Sequence, residues 1–232
     1  MLHWQNTGTA GKVVSFDAAR QARAGQSIGE TIAILGTLTK FARNAQIFCE
    51  DEPVQHFYKV VTGAVRISKL LSDGRRQIGA FYLPGDIFGL EAGDSRHFSA
   101  EAISHCEVLV VKRSRILTCV EHNGTLAAEL WSETVSHLQR AQDHMLLLGR
   151  KNAQERIAAF LLQMSLRLVR NGALELPMSR QDIADYLGLT IETVSRTLTQ
   201  LERNGVIAIP VSRRILLRNP RALDAMNDCL AA

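Results

Sequence analysis

Three features of this 232-residue sequence predict an α+β chain built from an N-terminal β-roll, a long helix and a C-terminal winged helix-turn-helix. Short apolar runs separated by turn signals fill residues 41–117, as in a jelly roll. A heptad-like apolar stripe then runs through residues 126–150. Two helix-sized segments finally meet at Gly188 within residues 179–201. The division that follows is a mobile arm at 1–27, the β-roll at 28–125, the long helix at 126–150 and the winged domain at 151–232.

Residues 1–27 are rich in Gly, Ala, Thr and Gln with little periodicity, hence the arm. Ser27 to Thr39 reads as a short helix feeding the first strand. The strand-like runs are Gln46–Cys49, Phe57–Thr62, Ala64–Leu71, Gln77–Tyr82, Ile87–Leu90, Phe98–Ala102 and Glu107–Lys112. Asp73-Gly74 between two of them is a hairpin signal.

The long helix carries Trp131, Thr134, Leu138, Ala141, Met145 and Leu148 at three-four spacing, the pattern of a coiled-coil seam. The stripe fits a homodimer interface; packing on the β-roll is the simpler alternative. Asn152 with Glu155 forms a fresh N-cap and capping-box pair, which places a hinge at about Gly149 to Asn152. Ile157, Phe160, Leu161, Met164 and Leu168 then form the core stripe of the helix that follows.

Ser179 with Asp182 is a capping-box-like start for a helix whose apolar face is Ile183 and Leu187. Gly188 allows a sharp turn, and Thr190 offers a hydroxyl N-cap for a second helix ending near Asn204-Gly205. On that helix Val194, Leu198 and Leu201 share one face, and Glu192, Ser195, Arg196 and Thr199 share the opposite one. An Arg fork matches guanine O6 and N7, and a carboxylate accepts from cytosine N4, so the polar face suits base reading in a DNA major groove. The same residues also suit a plainer role, because Glu192 complements the helix dipole and pairs at i,i+4 with Arg196. The capped first helix, the turn and the two-faced split together favour DNA. Val206–Ile209 and Ile215–Leu217 read as a hairpin wing around Pro210 to Arg214, whose Arg213 and Arg214 either touch phosphate or are solvated tip charges. Asn219-Pro220 starts a terminal helix.

Charge agrees with that polarity. Residues 1–149 hold 15 basic and 15 acidic side chains, whereas residues 150–232 hold 12 and 8, so the whole net charge of +4 lies in the C-terminal part. No apolar run approaches the roughly 18 residues of a membrane span, and no signal-peptide core opens the chain, so a cytoplasmic protein is expected. No phosphate-cradling Gly loop or nucleophile–base pair stands out, which argues against an enzyme.

The ETVSR of this helix resembles the recognition helix of the CRP/FNR superfamily of bacterial transcription regulators. FYKVVTGAVRISKLLSDGRRQI and PGDIFGLEA resemble its cyclic-nucleotide-binding β-roll, and the ExxSR form resembles the FNR and FixK branches, FixK-like proteins most. The resemblance covers roughly residues 30–220. It implies that Glu192, Ser195 and Arg196 read bases in a TTGAT–N4–ATCAA palindrome, and that Ser179, Arg180, Gln181, Thr190 and Thr193 face phosphates. Arg213 joins them if the wing reaches the backbone. It also implies a homodimer through the long helix, and regulation, as an activator contacting RNA polymerase, of nitrogen-fixation or microaerobic genes; no stretch identifies the polymerase surface.

Effector residues are incomplete. Cyclic-nucleotide binders of the superfamily carry a GEL turn and an Arg-Ser pair, whereas here Gly89 precedes Leu90 and Arg96 precedes His97. Cys49, Cys106, Cys119 and Cys229 include no close pair, so neither an iron–sulfur cluster nor a zinc site is expected. Buried positions are the default for the first three, while Cys229 is expected exposed, with oxidation only its minor alternative. His137 and His144 lie about 10 Å apart along the helix, too far to share a metal, and read as surface or helix-flank residues. The expectation is therefore a regulator with no cofactor and no small effector. Its rivals are a ligand-gated member of the same superfamily (cyclic nucleotide, haem or redox) and a non-DNA nucleotide-binding signalling module.

Overall fold

The computed structural model describes residues 27–227 apart from Asn171. Of the expected arm at 1–27 all but Ser27 lies outside the described residues, as does Cys229. Helix α1 (Ile28–Leu35) is opened by a Ser27/Glu30 capping box. It stops at Gly36, short of the expected Thr39, because Thr37–Phe41 forms strand β1. Alternating β-branched Thr37 and Thr39 pair with Val110 and Val108, and that ladder outcompetes another helical turn.

Strands β2 (Gln46–Phe48), β3 (His56–Thr62), β4 (Val65–Leu70), β5 (Arg76–Tyr82), β6 (Ile87–Phe88), β7 (Ser99–Ala102) and β8 (Cys106–Lys112) complete the β-roll. They form two antiparallel sheets, ordered β1-β8-β3-β6 and β2-β7-β4-β5. The two sheets enclose a core that includes Phe48, Tyr58, Val65, Tyr82, Phe88 and Val108. Helix α2 (Arg113–Glu121), unmarked in the sequence by any cap, buries only Ile116 and Cys119, packed among α1, β8 and the start of the next helix.

Helix α3 (Gly124–Arg150) starts at Asn123, whose side chain accepts from the Thr125 and Leu126 amides. It ends at Lys151, and α4 (Ala153–Leu168) begins at once with the Asn152/Glu155 capping box. Arg156 bridges this break, its guanidinium donating to Lys151 O at 2.8 Å, Leu148 O at 2.9 Å and Leu187 O at 2.8 Å. One side chain thus satisfies free carbonyls at the ends of two helices and at the break.

Beyond α4 lie β9 (Val169–Arg170), β10 (Ala173–Glu175), α5 (Arg180–Leu187), α6 (Ile191–Arg203), β11 (Ile207–Val211), β12 (Arg214–Leu217) and α7 (Pro220–Asn227). The sheet is ordered β11-β12-β10-β9. Strand β11 runs through Pro210, which the expected wing had placed in the turn. It is an edge strand with a register shift between Ala208 and Val211, where a missing N–H is tolerated. The core of this domain is continuous with the outer face of β5: Phe81 packs 5.1 Å from Tyr186 and 6.4 Å from Phe160, ring to ring.

Candidate DNA-binding surface

Helix α5 begins with a two-way cap. The Ser179 hydroxyl accepts from the Asp182 amide at 3.1 Å, and the Asp182 carboxylate accepts from the Ser179 amide at 2.9 Å. Its C-cap, Gly188, adopts φ +61°, a left-handed conformation that side chains other than Gly disfavour. The turn then delivers Thr190, whose hydroxyl accepts from the Thr193 amide at 3.2 Å and starts α6. Val194, Leu198 and Leu201 are buried against the domain core, while Glu192, Arg196 and Thr199 are exposed and Ser195 is half-buried.

The i,i+4 partnership of Glu192 and Arg196 does not form among the described residues, so both heads face outward unpaired. The Glu192 backbone N–H and then the Thr190 hydroxyl hold the Glu192 carboxyl below its ordinary pKa, which keeps it an ionised acceptor. Arg196 presents a free fork on the same exposed face.

The remaining candidates converge beside this face. Ser179, Arg180 and Arg213 line one depression of about 240 Å³ together with Ser212 and Leu198. Arg213 donates to Pro177 O at 3.3 Å, which brings the wing tip next to the start of α5. Thr190 and Thr193 lie at the N-terminus of α6, their hydroxyl oxygens 3.1 Å apart, and Gln181 is exposed on the first turn of α5. Exposed α6 is therefore flanked by hydroxyl, amide and guanidinium donors from α5 and the wing, an arrangement that suits a groove between two phosphate rows.

Along α3, Trp131 is 71% exposed, Leu138 57% and Met145 65%, an apolar row too long to be left to water by chance. Thr134 and Ala141 are exposed beside it, and Leu148 is half-buried against the core of the winged domain. His137 and His144 depart from their expected surface positions. Both face inward, His137 stacked on Tyr82 at 5.6 Å and His144 buried on Tyr186 at 4.0 Å, because α3 lies against β5 and α5 on that side.

Inside the β-roll, Arg96 is 1% exposed. Its guanidinium stacks on Phe48 at 4.3 Å and donates to Gly89 O at 2.9 Å and to His56 O at 2.6 Å. It also bonds the Glu91 carboxylate. Arg96 is thus already paired with an internal carboxylate. The adjoining cleft, about 1010 Å³, is walled chiefly by Phe81, Tyr82, Phe98, His137, Leu138 and Tyr186. Cys106 and Cys119 are buried, but Cys49, expected buried, is only half so, lying just past the end of β2.

Residues 155–226 match the Crp-like helix-turn-helix domain family, and residues 38–123 match the cyclic nucleotide-binding domain family. The nitrogen fixation regulation protein FixK of Azorhizobium caulinodans is 52% identical over 219 residues, spanning 91% of this chain and 88% of that protein. The chain belongs to the CRP/FNR superfamily. Within it the chain is FixK-like: FixK of Rhizobium meliloti is 45% identical across 78% of this chain and 82% of that one. The solved structure of FixK2 from Bradyrhizobium japonicum superposes with a TM-score of 0.81 at 52% identity, covering 83% of this chain and 97% of that one. This FixK-like protein is accordingly a DNA-binding transcription regulator. No helix among its described residues is long and apolar enough to cross a membrane.

Sequence reasoning missed the residues that join the two halves of this FixK-like chain: Arg66, Arg76, Asp185 and Tyr186, besides the Glu91 partner of Arg96. Asp182 was read only as a cap. A pair of arginines bracketing a hairpin at Asp73-Gly74 was the available signal, but nothing local assigns their partners.

Proposed function

We propose that this FixK-like protein is a cytoplasmic homodimeric activator that binds a TTGAT–N4–ATCAA palindrome without a small effector. The observation that carries the reading is the face of α6 on which Glu192 and Arg196 stand exposed and form no ion pair with each other, with half-buried Ser195 between them. Arg196 reads a guanine, Glu192 a cytosine amino group, and Ser195 fills in against a neighbouring base. Ser179, Arg180, Gln181, Thr190, Thr193 and Arg213 anchor phosphates and set the register.

Pairing through Trp131, Thr134, Leu138, Ala141, Met145 and Leu148 covers the apolar row of α3 and gives two recognition helices for two half-sites. Effector independence is supported by Arg96, whose two terminal guanidinium nitrogens are engaged by Glu91, Gly89 and His56, although its buried Nε has no partner among the described residues. Activation is supported by relatives that bear that name, such as the transcriptional activatory protein AadR of Rhodopseudomonas palustris, and it requires a surface for RNA polymerase.

The test is affinity measured on a set of duplexes carrying every single base-pair change in one half-site, for the native protein and for Arg196→Ala. The variant loses roughly 1–3 kcal/mol and its preference at one guanine, leaving the other positions discriminated. Uniform weakening on all duplexes would make Arg196 a phosphate contact and sink the assignment.

A further inference from the structure

The β-roll grips the first helix of the helix-turn-helix through an ionic cluster that the DNA-reading assignment does not use. Asp182 is 3% exposed, and its Oδ1 accepts from Arg66 and from Arg76, each at 2.9 Å. Arg66 on β4 is itself buried and is fixed by Glu101 of β7 at 2.7 Å. Arg76 on β5 reaches one turn further along α5 to Asp185 at 2.7 Å. Two arginines from the β4–β5 hairpin thus hold two carboxylates one helical turn apart.

The same two carboxylates hold residues of the DNA-facing edge. The Ser179 hydroxyl donates to Asp182 Oδ2 at 2.7 Å, and the Gln181 amide donates to Asp185 Oδ1 at 2.6 Å. Two unbroken chains therefore run from β-roll to DNA edge: Arg66 and Arg76 through Asp182 to Ser179, and Arg76 through Asp185 to Gln181. A charge-assisted fork of this kind fixes orientation as well as distance. Burial around it is apolar, with Phe81 and Ile78 of β5 packed under α5 beside Tyr186. The grip leaves Glu192, Arg196 and Thr199 of α6 exposed, so the gripped arrangement leaves the reading face open to DNA.

We infer that Arg66 and Arg76 are positioning residues for DNA recognition: by clamping Asp182 and Asp185 they lock each winged domain onto its own β-roll, and so set the separation and angle between the two recognition helices of the dimer. The inference rests on the dimeric reading proposed above. Two half-sites one helical turn apart demand that both α6 helices arrive in register, and a domain free to swivel about residues 149–152 pays for that order at each binding event.

Arg76→Ala and Asp185→Ala test it, because both side chains are partly solvated and their loss leaves the Arg66–Asp182 pair to hold the fold. In the free protein, amide hydrogen exchange in α5 and β5 quickens together in each variant by about tenfold, while the β3–β8 ladder keeps its protection. On DNA, the native protein strongly prefers the four-base-pair spacer over spacers one pair shorter or longer. Arg76→Ala lowers that preference by about fivefold or more, yet binds a single half-site within about twofold of native. The double variant loses less than the sum of the two single ones, because they share the Arg76–Asp185 contact, while Arg76–Asp182 and Asp185–Gln181 are lost separately.

Unchanged exchange in α5, additive effects in the double variant, or half-site affinity falling as far as palindrome affinity would each overturn the inference. If the native protein fails to select TTGAT over a scrambled half-site, the DNA reading fails instead, and the exchange comparison still decides the clamp.

Discussion

His144 of α3 lies flat on Tyr186 of α5, ring centroids 4.0 Å apart and planes within 9°, with its Nε2 donating to Tyr186 O at 2.8 Å. The pair joins the long helix to the helix-turn-helix directly. Burial lowers the His144 pKa, outweighing the hydrogen bonds to the Tyr186 and Gly79 backbones that raise it.

A pH dependence follows. A histidine depressed in the folded state binds its proton more readily once unfolded, so stability rises with pH until the unfolded value near 6.5 is passed. The contribution is fully present above about pH 6.5 and declines as pH falls towards the lower folded value. Thermal unfolding between about pH 5 and 8 should therefore show a melting temperature that drops on the acid side. His144→Gln, which keeps an N–H donor, reduces that drop, and the remainder belongs to His137 and His56, shifted the same way by burial. An unchanged slope in the variant would remove His144 from the account.

Dimerisation is predicted to fail at one substitution. Leu138→Glu places two like charges near each other on the two-fold seam, where an uncompensated buried charge costs roughly 3–5 kcal/mol. Sedimentation at micromolar concentration should find the native protein dimeric and the variant monomeric, with an unchanged far-ultraviolet dichroism spectrum. A dimeric variant would return the stripe to a surface role.

The Glu91–Arg96 pair predicts the response to nucleotides. Cyclic AMP or cyclic GMP leaves the melting temperature of the native protein where it was, although saturation at a hundredfold over Kd would add about 2.7 kcal/mol. Glu91→Ala frees the Arg96 guanidinium, and inorganic phosphate then stabilises that variant. A rise in the native protein would restore the ligand-gated alternative.

These contacts mark where the sequence stopped being legible. Capping boxes at Ser179/Asp182 and Asn152/Glu155, the Thr190 cap, the Gly188 turn and the Asp73-Gly74 hairpin are local chemistry, written within three or four residues. The exposed and buried faces of α6 were legible for the same reason. Arg66 and Asp182 stand 116 residues apart, and His144 and Tyr186 stand 42 apart, so neither pair leaves a periodic trace. The helix expected to Thr39 overruns the first three residues of β1 because their partner β8 lies some seventy positions on. The inward turn of His137 and His144 was hidden too, since a seven-residue spacing fixes a shared face but not what that face meets.

The central claim is that α6 reads a TTGAT–N4–ATCAA palindrome without help from a ligand. Its most direct test is titration of the untreated protein, in air, onto that duplex and onto a scrambled one at two salt concentrations. The palindrome should be bound tightly, at least about a thousandfold over the scrambled duplex. Both affinities should fall as salt rises, because bound phosphates release counterions. Weak binding, or equal binding to both duplexes, would contradict it.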